Sequence, residues 1–135
     1  MRLSADALNR FGEALGRELG APAVIGLSGE LGTGKTTFVQ AICRGLGARG
    51  LATSPTYALV HQYRTPDGRL LYHVDCYRLQ APAEAQDLGF DDMVRDGAIV
   101  LIEWPERAGP WLPPLHRHFR LAYDADPEVR VVEEA

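Results

Sequence analysis

The sequence predicts a three-layer α/β sandwich whose mixed sheet has a parallel core plus an antiparallel hairpin and edge strands. Three observations carry that expectation. A Gly-rich loop stands between a short apolar run, Ala23–Leu27, and a stretch where Phe38, Val39, Ile42, Cys43 and Leu46 recur at helical spacing; this is the strand–loop–helix order of a parallel α/β unit. A second run, Ala98–Ile102, is apolar throughout, as a strand covered on both faces must be. Two alternating runs, 57–63 and 70–77, flank Thr65-Pro66-Asp67-Gly68, a turn sequence suited to joining antiparallel strands.

The 135 residues are expected to form one domain over 1–135, long enough to bury a single core. A hydrophobic fraction of 46% and a charged fraction of 24% are ordinary for a globular chain in water. The net charge of −4 argues against a broad basic surface for nucleic acid. Lys35 is the sole lysine, every other basic residue being arginine. Cys43 and Cys76 form neither a C-x-x-C pair nor a metal pattern, and read as reduced core thiols. No apolar run reaches transmembrane length, and Met1–Ser4 leads into an amphipathic stretch rather than a signal peptide, so a cytoplasmic location is expected.

Taken in order, Ser4 is an N-cap for a helix with Leu8, Phe11, Leu15 and Leu19 on one face, closed by Gly20 and Pro22. The first strand, the loop and its helix follow, with Gly45 and Gly47 as the stop. The hairpin has two possible registers. A four-residue loop sets His73 and Asp75 on a face with Ala58 and Val60, whereas a three-residue loop with a bulge at Gly68 sets them with Leu59 and His61. Pro82–Leu88 and Asp91–Arg95 read as short helices broken by Gly89, with Asp91 capping the second. Ala98–Ile102 is the central parallel strand; it ends in Glu103, and Trp104-Pro105 stops it before a Pro-rich loop through Pro113-Pro114. His116–Tyr123 and Val129–Glu133 are the last strands, around an Asp/Pro turn.

The loop Gly29-Glu30-Leu31-Gly32-Thr33-Gly34-Lys35-Thr36-Thr37 fits G-x-x-x-x-G-K-[ST] at every fixed position. Its glycines let successive N–H groups turn inward around a phosphate chain. Lys35 supplies a point charge for the β and γ phosphates, and the Thr36 hydroxyl can ligate the Mg²⁺ that bridges them. The fold expected is therefore P-loop NTPase-like, and the ligand a nucleoside triphosphate. Glu103, at the end of the apolar strand, is the counterpart carboxylate for the metal, where Asp is commoner; the alternative is a solvated strand-end acid. His73, Asp75 and Tyr77 share a strand face. Asp75 there could orient a water or complete the metal shell and Arg78 could offset phosphate charge, against the plainer reading of polar residues on an exposed face. Thr56, in Ser54-Pro55-Thr56, lies where nucleotide-switch proteins keep a γ-phosphate-sensing threonine, although Ser-Pro-Thr is also simply loop sequence. Trp104 reads as packing by default. His116 and His118 share a strand face without a third ligand, so no metal site is read there.

Together GELGTGKTT, SPTY, HVDCYRL and LIEWPE, in this order and at these separations, resemble the bacterial TsaE (YjeE) ATPases over nearly the whole chain. The resemblance implies a partner-dependent ATPase serving the synthesis of threonylcarbamoyladenosine in tRNA, using ATP/ADP and Mg²⁺, with a TsaB–TsaD complex as partner and tRNA met indirectly. It implies that residues 29–37 hold the nucleotide, that Thr36 and Glu103 take the Mg²⁺ positions, and that Thr56 is the switch-like threonine. Asp75 matches a residue implicated in hydrolysis, so the likeness favours a functional carboxylate there. Leu8 departs from the threonine that many members carry.

Three other readings compete. A small P-loop kinase normally needs an arginine-bearing lid, for which 135 residues leave little room. A GTPase needs the second lysine of N-K-x-D, which this sequence lacks. A nucleotide-dependent scaffold needs no productive hydrolysis. With few cis candidates for an arginine finger besides Arg78, or for a base besides Asp75, hydrolysis is expected to be slow alone and stimulated by the partner.

Overall fold

The computed structural model describes residues 1–48 and 60–135. Among these, seven strands form one mixed sheet: β1 (Arg2–Ser4), β2 (Ala23–Ser28), β3 (Val60–Arg64), β4 (Leu70–Asp75), β5 (Ile99–Glu103), β6 (Arg117–Tyr123) and β7 (Val129–Glu134). Their order is β1-β7-β6-β2-β5-β4-β3. The core is parallel, β2 pairing with β5 and β6 and β5 with β4, whereas β1–β7, β6–β7 and β3–β4 are antiparallel. Every residue of β5 is buried, as its unbroken apolar run requires of a strand enclosed on both faces.

Alternation along the strands sends side chains into two separate cores. On one face Ile25, Leu27, Leu71, Leu101, Phe119 and Leu121 meet α1 (Ala5–Glu18) and α2 (Lys35–Gly45), which contribute Leu8, Leu15, Phe38 and Ile42. On the other, Val24, Val74, Val100 and Ile102 are covered by Leu88, Phe90, Met93 and Ala108. This second cover is thin: two 3₁₀ segments, Pro82–Leu88 and Pro105–Trp111, and the short helix α3 (Phe90–Arg95).

Ser4 caps α1 as expected, its Oγ accepting from Ala7 N at 3.2 Å. Helices α1 and α2 approach so closely that a Cβ on Gly45 would lie 2.1 Å from the Glu13 carbonyl oxygen, and one on Gly16 2.2 Å from that of Ile42. Gly45 is thus a packing residue inside α2 rather than its stop; Gly47, at φ +73°, ends the helix while Ala48 N returns to Cys43 O.

Further expectations change. Residues 2–4 make an edge strand against β7, too short to show periodicity, where only a helix cap was expected. Gly89, at φ +84°, occupies the N-cap of α3, which places Asp91 in the first turn and not at the cap. The Pro-rich loop begins as a 3₁₀ segment kinked at Gly109. In the hairpin His61 lies opposite His73, the face grouping of the second register considered. No helix among the described residues is long and apolar enough to cross a membrane.

Candidate functional site

The parallel strands β2, β4 and β5 end at the same edge of the sheet, where open α/β sheets form crevices. The loop after β2 passes so close to β6 that a Cβ on Gly29, whose φ is +145°, would meet the Leu121 carbonyl at 2.3 Å. Fully buried Thr33 closes the loop on itself, its Oγ1 donating to Glu30 O at 2.7 Å. The Tyr123 hydroxyl donates to the Leu31 carbonyl. Helix α2 then starts from Gly34 with no side-chain cap, so its first-turn N–H groups have neither an intrahelical partner nor a capping side chain.

Lys35 is almost wholly buried. Its ammonium donates to the carbonyls of Gly29 at 2.5 Å and Glu30 at 2.7 Å, and stands 4.5 Å from the centre of the Trp104 ring. Burial pushes the Lys35 pKa down, opposed by the carboxylates of Glu103, Asp75 and Glu106.

Opposite stands a wall made of side chains. Glu103, 3% exposed, accepts from Thr36 Oγ1 at 3.2 Å on Oε1 and from His73 Nε2 at 2.6 Å on Oε2. Asp75 is its register partner across β4–β5, so both carboxylates lie on the α2 side of the sheet. Asp75 Oδ1 accepts from Tyr77 N at 3.0 Å, and this turn sets the Tyr77 ring against Trp104, centres 5.1 Å apart. Trp104 sits in the left-handed region, φ +56°, a conformation that costs a non-glycine residue on the order of 1 kcal/mol. Arg107 covers both rings, its guanidinium carbon 4.9 and 5.2 Å from their centres, and donates to Tyr77 O at 2.8 Å.

Between the walls lies a cleft of about 250 Å³ lined by Lys35, Thr36, Asp75, Tyr77, Glu103 and Trp104 with the loop glycines. A second hollow of about 500 Å³ shares Gly32, Gly34 and Thr37 with it and runs toward Ser4, Asp6, Leu8 and Arg130. Leu8 itself is 3% exposed, packed beneath Gly34.

The nine loop residues 29–37, Asp75 and Glu103 therefore come together, whereas Thr56 lies outside the described residues. Arg78 does not join them: β4 ends at Asp75 and the chain turns, Leu79 N bonding Cys76 O, and Arg78 is exposed and absent from the cleft lining. Two contacts escaped sequence reasoning. His73 on Glu103 follows from the β4–β5 register, and Arg107 on the aromatic pair from a 3₁₀ turn with no periodic signal. His116 and His118 are both engaged structurally, His116 Nδ1 accepting from Val24 N at 2.8 Å and His118 Nε2 meeting Ser28 Oγ at 2.7 Å.

The arrangement can bind an anion through main-chain donors and one ammonium, beside a hydroxyl and a buried carboxylate. Oxygen donors of that kind suit a hard divalent cation such as Mg²⁺. Among the described residues no group of three or more His, Cys, Asp and Glu side chains is placed to hold a metal ion. A cation here would thus share two protein oxygens with water and ligand oxygens.

The family described as "Threonylcarbamoyl adenosine biosynthesis protein TsaE" matches residues 3–131. The chain belongs to the TsaE family. A Treponema pallidum protein named tRNA threonylcarbamoyladenosine biosynthesis protein TsaE is 40% identical over 111 residues, 82% of this chain and 80% of that protein. A Haemophilus influenzae protein of the same name is 42% identical over 87 residues, 64% of this chain and only 54% of that protein. Among solved structures, the crystal structure of YdiB from Bacillus subtilis superposes with a TM-score of 0.77 at 26% identity, covering 100% of this chain and 83% of that one. Residues of GELGTGKTT line one wall of the cleft, and Asp75 and Tyr77 of HVDCYRL with Glu103 and Trp104 of LIEWPE line the other.

Proposed function

We propose that this chain is an ATP-binding and ATP-hydrolysing accessory protein of tRNA threonylcarbamoyladenosine synthesis, acting through a conformational cycle on a TsaB–TsaD complex in the cytoplasm. In this reading residues 1–135 are a single P-loop ATPase domain with a P-loop NTPase-like three-layer sandwich. The observation that carries it is the convergence of an uncapped helix N-terminus, Lys35 and the Thr36–Glu103 pair on one cleft.

Gly29 to Thr37 hold the phosphate chain through main-chain N–H groups, and Lys35 leaves the Gly29 and Glu30 carbonyls for the β and γ phosphates. Thr36 and Glu103 would hold Mg²⁺, which would supply positive charge beside the phosphate oxygens. Asp75 faces the same cleft and orients the attacking water or accepts its proton, and Thr56 acts as the γ-phosphate sensor. Trp104 and Tyr77 form the apolar side of the cleft and exclude water from it. The second hollow, reaching Ser4 and Arg130, receives the nucleoside. The base is adenine, because the lysine of a guanine-reading N-K-x-D element is absent from the sequence. The net charge of −4 favours protein partners over direct tRNA contact.

Phosphate release measured alone, with TsaB and TsaD, and with each singly tests the proposal. Slow release alone and clear stimulation by the complex are expected, together with capture of the complex in ATP and not in ADP. Fast release indifferent to partner would overturn it, as would a phosphorylated metabolite appearing in place of free phosphate.

A further inference from the structure

We propose that His73 is a positioning residue that fixes the Glu103 carboxylate for the divalent cation, making the β3–β4 hairpin part of the metal side of the site. The inference rests on the reading of Thr36 and Glu103 as cation ligands given above, and asks what orients them.

A carboxylate has two oxygens and a soft terminal torsion. Thr36 alone does not fix it, since its hydroxyl lies 3.2 Å from Oε1 and 3.5 Å from Oε2. The 2.6 Å contact from His73 Nε2 to Oε2 removes that ambiguity. A carboxylate only accepts, so Nε2 carries the hydrogen and donates. With Oε2 tied to His73, Oε1 is the oxygen turned to the Thr36 hydroxyl and the cleft.

The histidine is itself held firmly. Its backbone is fixed by pairing on both sides, Leu101 of β5 in parallel and His61 of β3 antiparallel. Its ring stacks on His61, centres 6.0 Å apart at an interplanar angle of 29°, and its side chain is only 14% exposed. A continuous line of contacts thus runs from His61 through His73 and Glu103 to Thr36 at the start of α2. Partners that orient ligating groups in this way typically set metal affinity by ten- to a hundredfold.

The plainer account is that His73 merely satisfies a buried acid. The two accounts differ in what happens to metal when the donor is removed and then restored. Mn²⁺ binding to the protein–ADP complex, read from the electron paramagnetic resonance signal of free Mn²⁺, is compared for wild type, His73→Phe and His73→Gln. Phe keeps a ring without a donor; Gln places an N–H near the former Nε2 position. His73→Phe is expected to weaken Mn²⁺ binding roughly ten- to a hundredfold, and His73→Gln to recover most of it. ADP affinity in EDTA should stay unchanged in both. His73→Ala, which adds no bulk, should show the same loss and stands in if Phe disturbs the fold. Unchanged Mn²⁺ affinity in His73→Phe or His73→Ala overturns the inference, and so does a Gln variant no better than Phe. A wild-type ADP complex that takes up no Mn²⁺ overturns the Thr36–Glu103 reading itself, and the inference with it.

Discussion

The two walls of the cleft are built from different materials. The loop wall is mostly backbone: main-chain N–H groups at the start of α2, held by Thr33, by Tyr123 and by the pressure of Gly29 on β6. The strand wall is mostly side chain: Glu103, Asp75, Tyr77 and Trp104, placed by the β4–β5 register and the turns that follow it. Main-chain donors do not titrate and cannot be removed by a side-chain substitution, which suits them to constant grip on an anion. Carboxylates can accept protons and ligate metal, which suits them to the step that changes. If the division is real, damage to the first wall should abolish binding, and damage to the second should spare binding and slow turnover.

The largest effect should come from Lys35→Ala. Lys35 is the loop wall's one cation, and in the proposed reading its two carbonyl contacts are exchanged for phosphate oxygens on binding. Losing two charge-assisted hydrogen bonds, at about 1.5–3 kcal/mol each, weakens affinity by about a hundredfold or more. Titration calorimetry with ADP checks this, and near-native affinity would break the assignment of grip to the loop wall.

A contrasting pair at Asp75 sharpens the other half. Asp75→Asn keeps an Oδ1 for Tyr77 N but removes the charge, whereas Asp75→Ala removes both. ADP affinity should survive in each, while phosphate release falls by about a hundredfold, the typical worth of a positioned base. An active Asn variant beside an inactive Ala variant would reassign Asp75 to holding the turn under Tyr77.

That difference in material also decided what could be read from sequence. The loop wall is local: nine consecutive residues carry the G-x-x-x-x-G-K-[ST] pattern, and the flanking apolar run and helical periodicity supply β2 and α2. Glu103 was legible because it ends an unbroken apolar strand. The contact of His73 with Glu103 was not, because it depends on which residue of β4 lies beside β5, and the hairpin allowed two registers. The turn that follows Asp75 and the 3₁₀ segment that carries Arg107 have no periodic signal, so neither the place of Arg107 on the aromatic pair nor that of Arg78 outside the cleft is legible in the sequence. Gly45 looked like a helix stop for want of any view of α1, whose Glu13 carbonyl it admits. Edge strand β1 was hidden by its length of three residues.

The smallest effect concerns the seam between the walls. Ser28, one residue before Gly29, donates to Glu106 Oε2 at 2.9 Å, which leaves its oxygen to accept from His118 Nε2 at 2.7 Å. Glu106 follows the Trp104-Pro105 turn, so this contact ties the root of the loop wall to the root of the strand wall. Burial, reinforced by the positive charge of Arg120, holds the His118 pKa below its ordinary value, with Glu106 pulling the other way. The unfolded chain then takes up a proton at His118 before the folded chain does. Above the ordinary histidine range both states are neutral and stability is unaffected; as pH falls through that range toward the folded-state pKa, the unfolded state gains protons first and stability drops. Melting temperatures between pH 7.5 and 5.5 should therefore fall more steeply for wild type than for His118→Gln, which has no proton to gain but keeps an N–H for Ser28. Parallel slopes would mean that the seam carries no proton-linked strain, and that the two walls are joined through the sheet alone.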